Sequence, residues 1–243
     1  MMTRMSILIL SLLAMRSMVW SIDIQDPSAK WTSPGKCSQD SVYDQLWDKS
    51  QDIVGEVIKT NFLKEINDNT LIAERYMKLM IQDIYYIQGV FNALNIALKN
   101  TNMPDDVKKF LEDRATSYKN FLEMMQENNN LKDASSIIPN KAAQEYVEEY
   151  EKIAKRTDEG LYMVIALLPC ARLWPYISEK LSITRCSPYY QFKMDNAKDK
   201  SRDHYEKLLQ EYKDKIDMDE ALKIFQIQMR HELAFFQSVD PKN

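Results

Sequence analysis

Glycine and proline are what this chain most lacks: 4 Gly and 8 Pro interrupt 243 residues. Sheets need frequent turns, and turns draw on Gly, Pro and Asn. A chain so poor in turn formers is confined to long helices. Lys, Glu, Leu, Met, Gln and Ala, all good helix formers, fill its middle. The length suits one large domain or two small ones. With no repeat, linker or low-complexity segment, the expectation is all-α: one bundle of about seven helices.

The first residues read as a segment removed before folding. Arg4 gives a basic start, an apolar run follows from Ile7 through Met15, and Val19 and Ser21 are small enough for a cleavage site. That is the pattern of a secretory signal peptide over residues 1–21, with Arg16 an awkward late charge. The run is shorter than the ~20 apolar residues that span a bilayer, so a membrane anchor is the lesser alternative. No later stretch reads as apolar enough to be a span, so no membrane is expected after cleavage. The mature chain is then secreted, with an extended arm over 22–40 containing Pro27 and Pro34, and a helical domain over 41–240. A net charge of -4 and a pI of about 5.4 give nucleic acid nothing to bind. Three cysteines in a secreted chain mean one bridge and one free thiol, or an intermolecular bond. Cys37 and Cys186 flank structured regions beside turn residues and are the expected pair, which leaves Cys170 reduced.

Helical periodicity begins near Ser41 and breaks near Thr60. Asn67-Asp68-Asn69-Thr70 is a turn, with Thr70 a candidate cap for a helix that runs to about Asn100. Pro104 starts the next helix, which stops at Asn128-Asn129-Asn130. Pro139 and Asn140 open another. A helix from about Asp158 to Leu181 carries Pro169 and Pro175 and should be kinked. Two more are expected, roughly Pro188 to Tyr212 and Asp217 to Gln237.

Three polar residues interrupt otherwise apolar faces. Tyr76, Met80, Asp83, Ile87, Val90 and Leu94 share one helix face, and Asp83 breaks it, with Tyr86 beside it. Leu222, Phe225, Met229, Glu232 and Phe236 form a second stripe, broken by Glu232 next to Phe235. Met163, Leu167, Cys170, Trp174, Ile177 and Leu181 form a third. A carboxylate on a buried face must find a hydrogen-bond partner or a ligand. Each also has a structural reading: Asp83 as the partner of a lysine or a helix cap, Glu232 as the partner of Arg230, and Cys170 as a small core hydrophobe. If two acids and a thiol converge, they make a nucleophile with an acid–base partner. His204 and His231 lack a paired metal-binding spacing, and no metal or other cofactor is expected.

Local sequence decides more. Gln82-Asp83-Ile84-Tyr85-Tyr86-Ile87 resembles the Q-D-x-Y-Y-L segment of the TenA/thiaminase-2 family. Leu167-Leu168-Pro169-Cys170, then Ser178-Glu179-Lys180-Leu181, resemble its L-L-P-C helix and G-E-K-L-like run. Asn61-Phe62 through Asn69-Thr70-Leu71 is similar to its H-P-F…G-D-G-T-L turn, and Glu232-x-x-Phe235-Phe236 to its E-x-x-F-W end. The four segments stand in family order from about Leu46 to Phe236.

The resemblance implies a haem-oxygenase-like helical bundle without haem, and hydrolysis of thiamin or its aminopyrimidine breakdown products. It makes Cys170 the nucleophile that adds to the pyrimidine ring and Glu232 the acid that handles protons at the methylene centre. It makes Asp83 the ligand of the ring nitrogen and amino group, with Tyr86 shaping the site. A further family tyrosine falls at Tyr146, with Tyr150 the alternative, and Trp174 and Phe235 complete the binding wall. Members are often tetramers, so a homo-oligomer is implied. Trp174 stands where the family commonly has an aromatic hydroxyl, Arg172 replaces an aromatic residue, and no tyrosine occurs near Ala197. Asn67 and Asn69 stand for the turn glycines. Lost hydroxyls and the secretion signal keep a second reading open, a secreted non-catalytic binder of a pyrimidine-like molecule. A third is a purely structural helical protein.

Overall fold

A computed structural model describes residues 41–241. The expected signal segment, the expected arm and Cys37 lie outside those residues, and with them the expected Cys37–Cys186 pairing; Cys186 itself is exposed. The described residues form ten α-helices and no strand: α1 (Val42–Asp48), α2 (Gln51–Ile58), α3 (Asn61–Asn67), α4 (Ala73–Ala97), α5 (Asp105–Asn128), α6 (Lys141–Ala154), α7 (Leu161–Lys180), α8 (Tyr190–Asp195), α9 (Ser201–Glu211) and α10 (Met218–Gln237). The five longest match expected helices. The extra elements come from breaks that periodicity did not register. The helix expected from Ser41 to Thr60 divides at Lys49 and Ser50, where the Ser50 hydroxyl turns back to the Leu46 carbonyl at 2.8 Å. The helix expected from Pro188 to Tyr212 is α8 and α9, separated by residues 196–200.

Helix starts follow local chemistry. Ser41, Asn140 and Asp217 cap α1, α6 and α10 through their side-chain oxygens. Thr70 does not cap α4; Ile72 holds that position with no side-chain bond. Pro104 sits one residue before α5. Asn69 has the positive φ of the glycine it replaces, 57°, whereas Asn67 closes α3 and accepts from the Ser182 N–H at 2.7 Å.

Helix α4 lies between α5 and α6, while α10 packs on α7, α6 and α2. Pro169 and Pro175 both sit inside α7. Contrary to the expectation that nothing after the N-terminus could span a membrane, α7 is long and apolar enough to do so. It is instead packed into the centre of the bundle, with Val164 through Leu168 fully buried. Arg172, on its outer side, lies over the Tyr43 ring at 4.0 Å and the Trp47 ring at 4.6 Å. It also pairs with Asp44 at 3.3 Å, so it ties α7 to α1.

Candidate active site

The three interrupted stripes face one another. α4 presents Asp83 and Tyr86, α6 presents Tyr146 and Tyr150, α7 presents Cys170 and Trp174, and α10 presents Glu232 and Phe235. Glu232 is fully enclosed for a charged group, at 1 % exposure. Tyr146 donates its hydroxyl proton to Glu232 Oε1 at 2.9 Å. The Trp174 indole N–H is shared between the two carboxylate oxygens at 3.3 and 3.4 Å. Cys170 lies close enough to the same carboxylate to feel its charge. Burial pushes the Glu232 acid up to about 7, against the pull of the hydrogen bonds it accepts. Trp174, a departure from the family's hydroxyl, thus still supplies a proton donor to the carboxylate. The Arg230 partner considered for Glu232 is not what holds it.

Asp83 is half-buried and also raised to about 7, first by burial and then by the negative charge of Glu232. Neither acid ionises independently, because each charge disfavours the other; the two titrate as a pair. Neither the lysine pairing nor the cap weighed for Asp83 is found among its hydrogen bonds or ion pairs in the described residues.

Cys170 is half-buried, with part of its surface still accessible. Burial drives its thiol well above the usual range, Glu232 and Asp83 push the same way, and hydrogen bonding from Tyr86 pulls it down. The resting group is therefore a neutral thiol.

Rings wall the site. Tyr86 stacks obliquely on Tyr146 with centroids 4.6 Å apart, and Tyr146 stacks on Tyr150 at 5.3 Å. Phe235 backs Tyr86 at 6.1 Å, and Trp174 packs on Phe236 and Phe192. His231 turns away from Glu232 and lies flat on the far side of Tyr146, 5.2 Å away. All seven expected site residues therefore meet in one place. The choice between Tyr146 and Tyr150 resolves as both: Tyr146 holds Glu232, and Tyr150 bonds Tyr86 at 3.2 Å and the Ala166 carbonyl at 3.1 Å.

Two residues escaped the sequence reading. Tyr118 on α5 and Tyr205 on α9 lie close enough to Cys170 to feel its charge. Both continue apolar stripes, where tyrosine looks like core. No group of three or more His, Cys, Asp or Glu among the described residues could hold a metal.

An all-α bundle of the haem-oxygenase-like kind, with an acid pair and a thiol enclosed by aromatic rings at its centre, is the class that fold and site define. The chain belongs to the TENA/THI-4/PQQC family, whose model matches residues 47–240. Solved structures share the fold at low identity. A TenA homologue from Pyrococcus furiosus superposes with a TM-score of 0.69 at 19% identity, covering 82% of this chain and 100% of its own. A protein assigned as a TenA-like thiaminase from Sulfolobus solfataricus gives 0.64 at 16%, covering 81% and 95%. A protein described as a TenA family transcription regulator from Silicibacter gives 0.70 at 12%, covering 82% and 97%. No curated protein matches the sequence.

Proposed function

We propose that the protein is a hydrolase that releases the methylene-linked group of thiamin or of an aminomethyl-pyrimidine, with Cys170 as nucleophile and Glu232 as proton carrier. The observation behind this reading is an enclosed carboxylate, held by Tyr146 and Trp174 and raised to about 7, beside an otherwise protonated thiol. A base works best when its pKa lies near the working pH, and Glu232 is shifted towards that value. Its orientation is fixed by Tyr146 and Trp174. The likeness in fold to a protein assigned as a TenA-like thiaminase supports the same reaction class.

For the amine substrate the sequence of steps balances. Cys170 Sγ bonds to an electron-poor ring carbon, its proton passes to Glu232, and the ring takes up the electron pair. The C–N bond to the methylene breaks with its pair on nitrogen, which takes the proton from Glu232 and leaves as ammonia. Water then adds at the methylene carbon and gives a proton to Glu232. The C–S bond breaks with its pair on sulfur, the ring regains aromaticity, and the thiolate takes the proton back. In this reading Asp83 pairs with the ring nitrogen and amino group, and the rings of Tyr86, Tyr146 and Trp174 supply stacking surface. The apolar N-terminal segment supports carrying out this chemistry outside the cell.

The test is to incubate the purified protein with thiamin, or with the aminomethyl-pyrimidine, and follow release of the pyrimidine alcohol. Turnover is expected in the wild type. Cys170→Ser should abolish it, because a hydroxyl is a far weaker nucleophile at neutral pH, and Glu232→Gln should cripple it while both variants still bind. Pyrimidine binding without turnover in the wild type would instead establish the non-catalytic binder.

A further inference from the structure

Helix α10 carries a second polar group on its buried face. Gln228 stands one turn before Glu232, about 6 Å away between β-carbons, and it is fully buried. Its amide nitrogen and its amide oxygen are both enclosed, and neither has a hydrogen-bond partner among the described residues. A buried donor and acceptor left unpaired are costly, so such a group calls for a water, an ion or a ligand. Its place on the helix says where it points. Ala221, Gln228 and Phe235 recur every seven residues and so lie along one line of α10, and Phe235 is the ring that backs Tyr86. The neighbouring helices fix its level. α6 runs antiparallel to α10 through Asn140–Ser238, Tyr146–Glu232 and Arg156–Glu220, which brings position 228 opposite Tyr150. α7 runs parallel to α10 through Tyr162–Asp217 and Trp174–Glu232, which brings it level with Cys170. The unpaired amide therefore belongs to the interior of the site, one turn from its acid.

We propose that Gln228 is a positioning residue that holds the hydrolytic water against Glu232. A carboxamide both accepts and donates, and water is the smallest partner that does the same. Glu232 can share that water. A carboxylate offers about four acceptor positions, and Tyr146 and the shared Trp174 N–H use only part of them. The four-residue spacing lets one water reach both groups at hydrogen-bond distance. In the hydrolysis step the water oxygen bonds to the methylene carbon, and the ring takes up the electron pair displaced from that carbon. One water proton passes to Glu232. The other stays on the new hydroxyl and is held by the Gln228 oxygen. The step rests on the hydrolase reading, whereas the water site belongs to the free protein and needs no substrate.

The experiment uses Gln228→Met, which keeps the length of the side chain and removes both hydrogen-bonding atoms. With the aminomethyl-pyrimidine, ammonia release in the first turnover should be little changed, while formation of the pyrimidine alcohol should fall about 100-fold, the scale of a misplaced reactant. The covalent intermediate should then accumulate as added mass on Cys170. Mercaptoethanol competes with water for that intermediate and attacks as a thiolate at alkaline pH, so it needs neither a held water nor a base. Gln228→Met should therefore shift the product from alcohol to thioether. A general loss of activity would lower both and leave their ratio alone. An unchanged product ratio, or ammonia release slowed as much as alcohol formation, would overturn the proposal. The water itself is tested in a high-resolution crystal structure of the free wild-type protein. One water within hydrogen-bond distance of both the Gln228 amide and a Glu232 oxygen is expected; a Gln228 amide bonded to protein groups alone, or no water between the two side chains, refutes the site. That structure decides even where the wild type turns nothing over or Gln228→Met does not fold, so failure of the hydrolase reading and failure of the water site are separable.

Discussion

Glu232 and Asp83 share one negative environment, and that sharing sets the pH behaviour of the site. In the proposed reaction Glu232 must be ionised to take the thiol proton. The acid limb of the turnover profile is therefore expected near the raised value of about 7, well above the ordinary glutamate range. Asp83→Asn removes a negative neighbour, so the limb in kcat should move to lower pH while KM rises; an unmoved limb would mean that the acids are uncoupled. The same replacement should affect stability. The folded Asp83 pKa lies above its unfolded value, so between about 4 and about 7 the native state holds a proton that the unfolded chain has released. Its contribution is fully present below that window and is lost as pH rises through it. Asn stays neutral throughout, so Asp83→Asn should melt higher than the wild type above about pH 7 and lose this advantage towards pH 4, measured by thermal unfolding at several pH values. Both acids were legible in the sequence because a carboxylate on an apolar stripe violates the pattern. Tyr118 and Tyr205 violate nothing: Leu111, Ala115, Tyr118 and Leu122 read as one hydrophobic face, and a hydroxyl at the end of such a ring is invisible to periodicity.

Between elements, α4 and α6 approach each other closely, and Gly89 permits it. A Cβ at Gly89 would stand 2.4 and 2.5 Å from the two γ-carbons of Val147. Val147 is β-branched and buried, so it has little freedom to turn aside. The contact lies one turn beyond Tyr86 on α4 and one residue beyond Tyr146 on α6, and it fixes how closely those two rings stack. Gly89→Ala should cost about 1–3 kcal/mol through overpacking, despite the better helix propensity of alanine. Adding Val147→Ala should recover most of the loss in urea unfolding, and a Gly89→Ala variant as stable as the wild type would refute the tight contact. The long helices were legible from their periodicity and end signals, including the Asn140 and Asp217 caps. The divisions at Ser50 and at residues 196–200 were not, because neither carries a glycine or proline. A serine that bonds back to the preceding turn breaks a helix without leaving that kind of mark.

Across the whole bundle, one buried arginine joins the helices that carry the two acids. Arg75 stands two turns before Asp83 on α4 and is only 6 % exposed. Its guanidinium bonds Glu65 of α3, the Val239 carbonyl at 2.9 Å and Asp240 at 2.6 Å, in the segment that follows α10. Asp240 lies eight residues after Glu232, as Asp83 lies eight after Arg75. The clasp therefore sets the start of α4 against the end of α10, at equal chain distance from both acids. Removing the arginine leaves two carboxylates and a backbone carbonyl without their donor, which is worse than lacking the pair altogether. Arg75→Met, which keeps the apolar stem, should cost about 2–3 kcal/mol, below the range for fully buried pairs because Glu65 and Asp240 are partly exposed. Asp240→Asn should cost less, and the double variant should be no less stable than Arg75→Met, because Asp240 contributes mainly through the arginine. Urea unfolding of the three variants with an unchanged m-value checks this. Full additivity would show that Asp240 is held by Asn61, its other partner at 3.3 Å, and that the clasp does not close through Arg75.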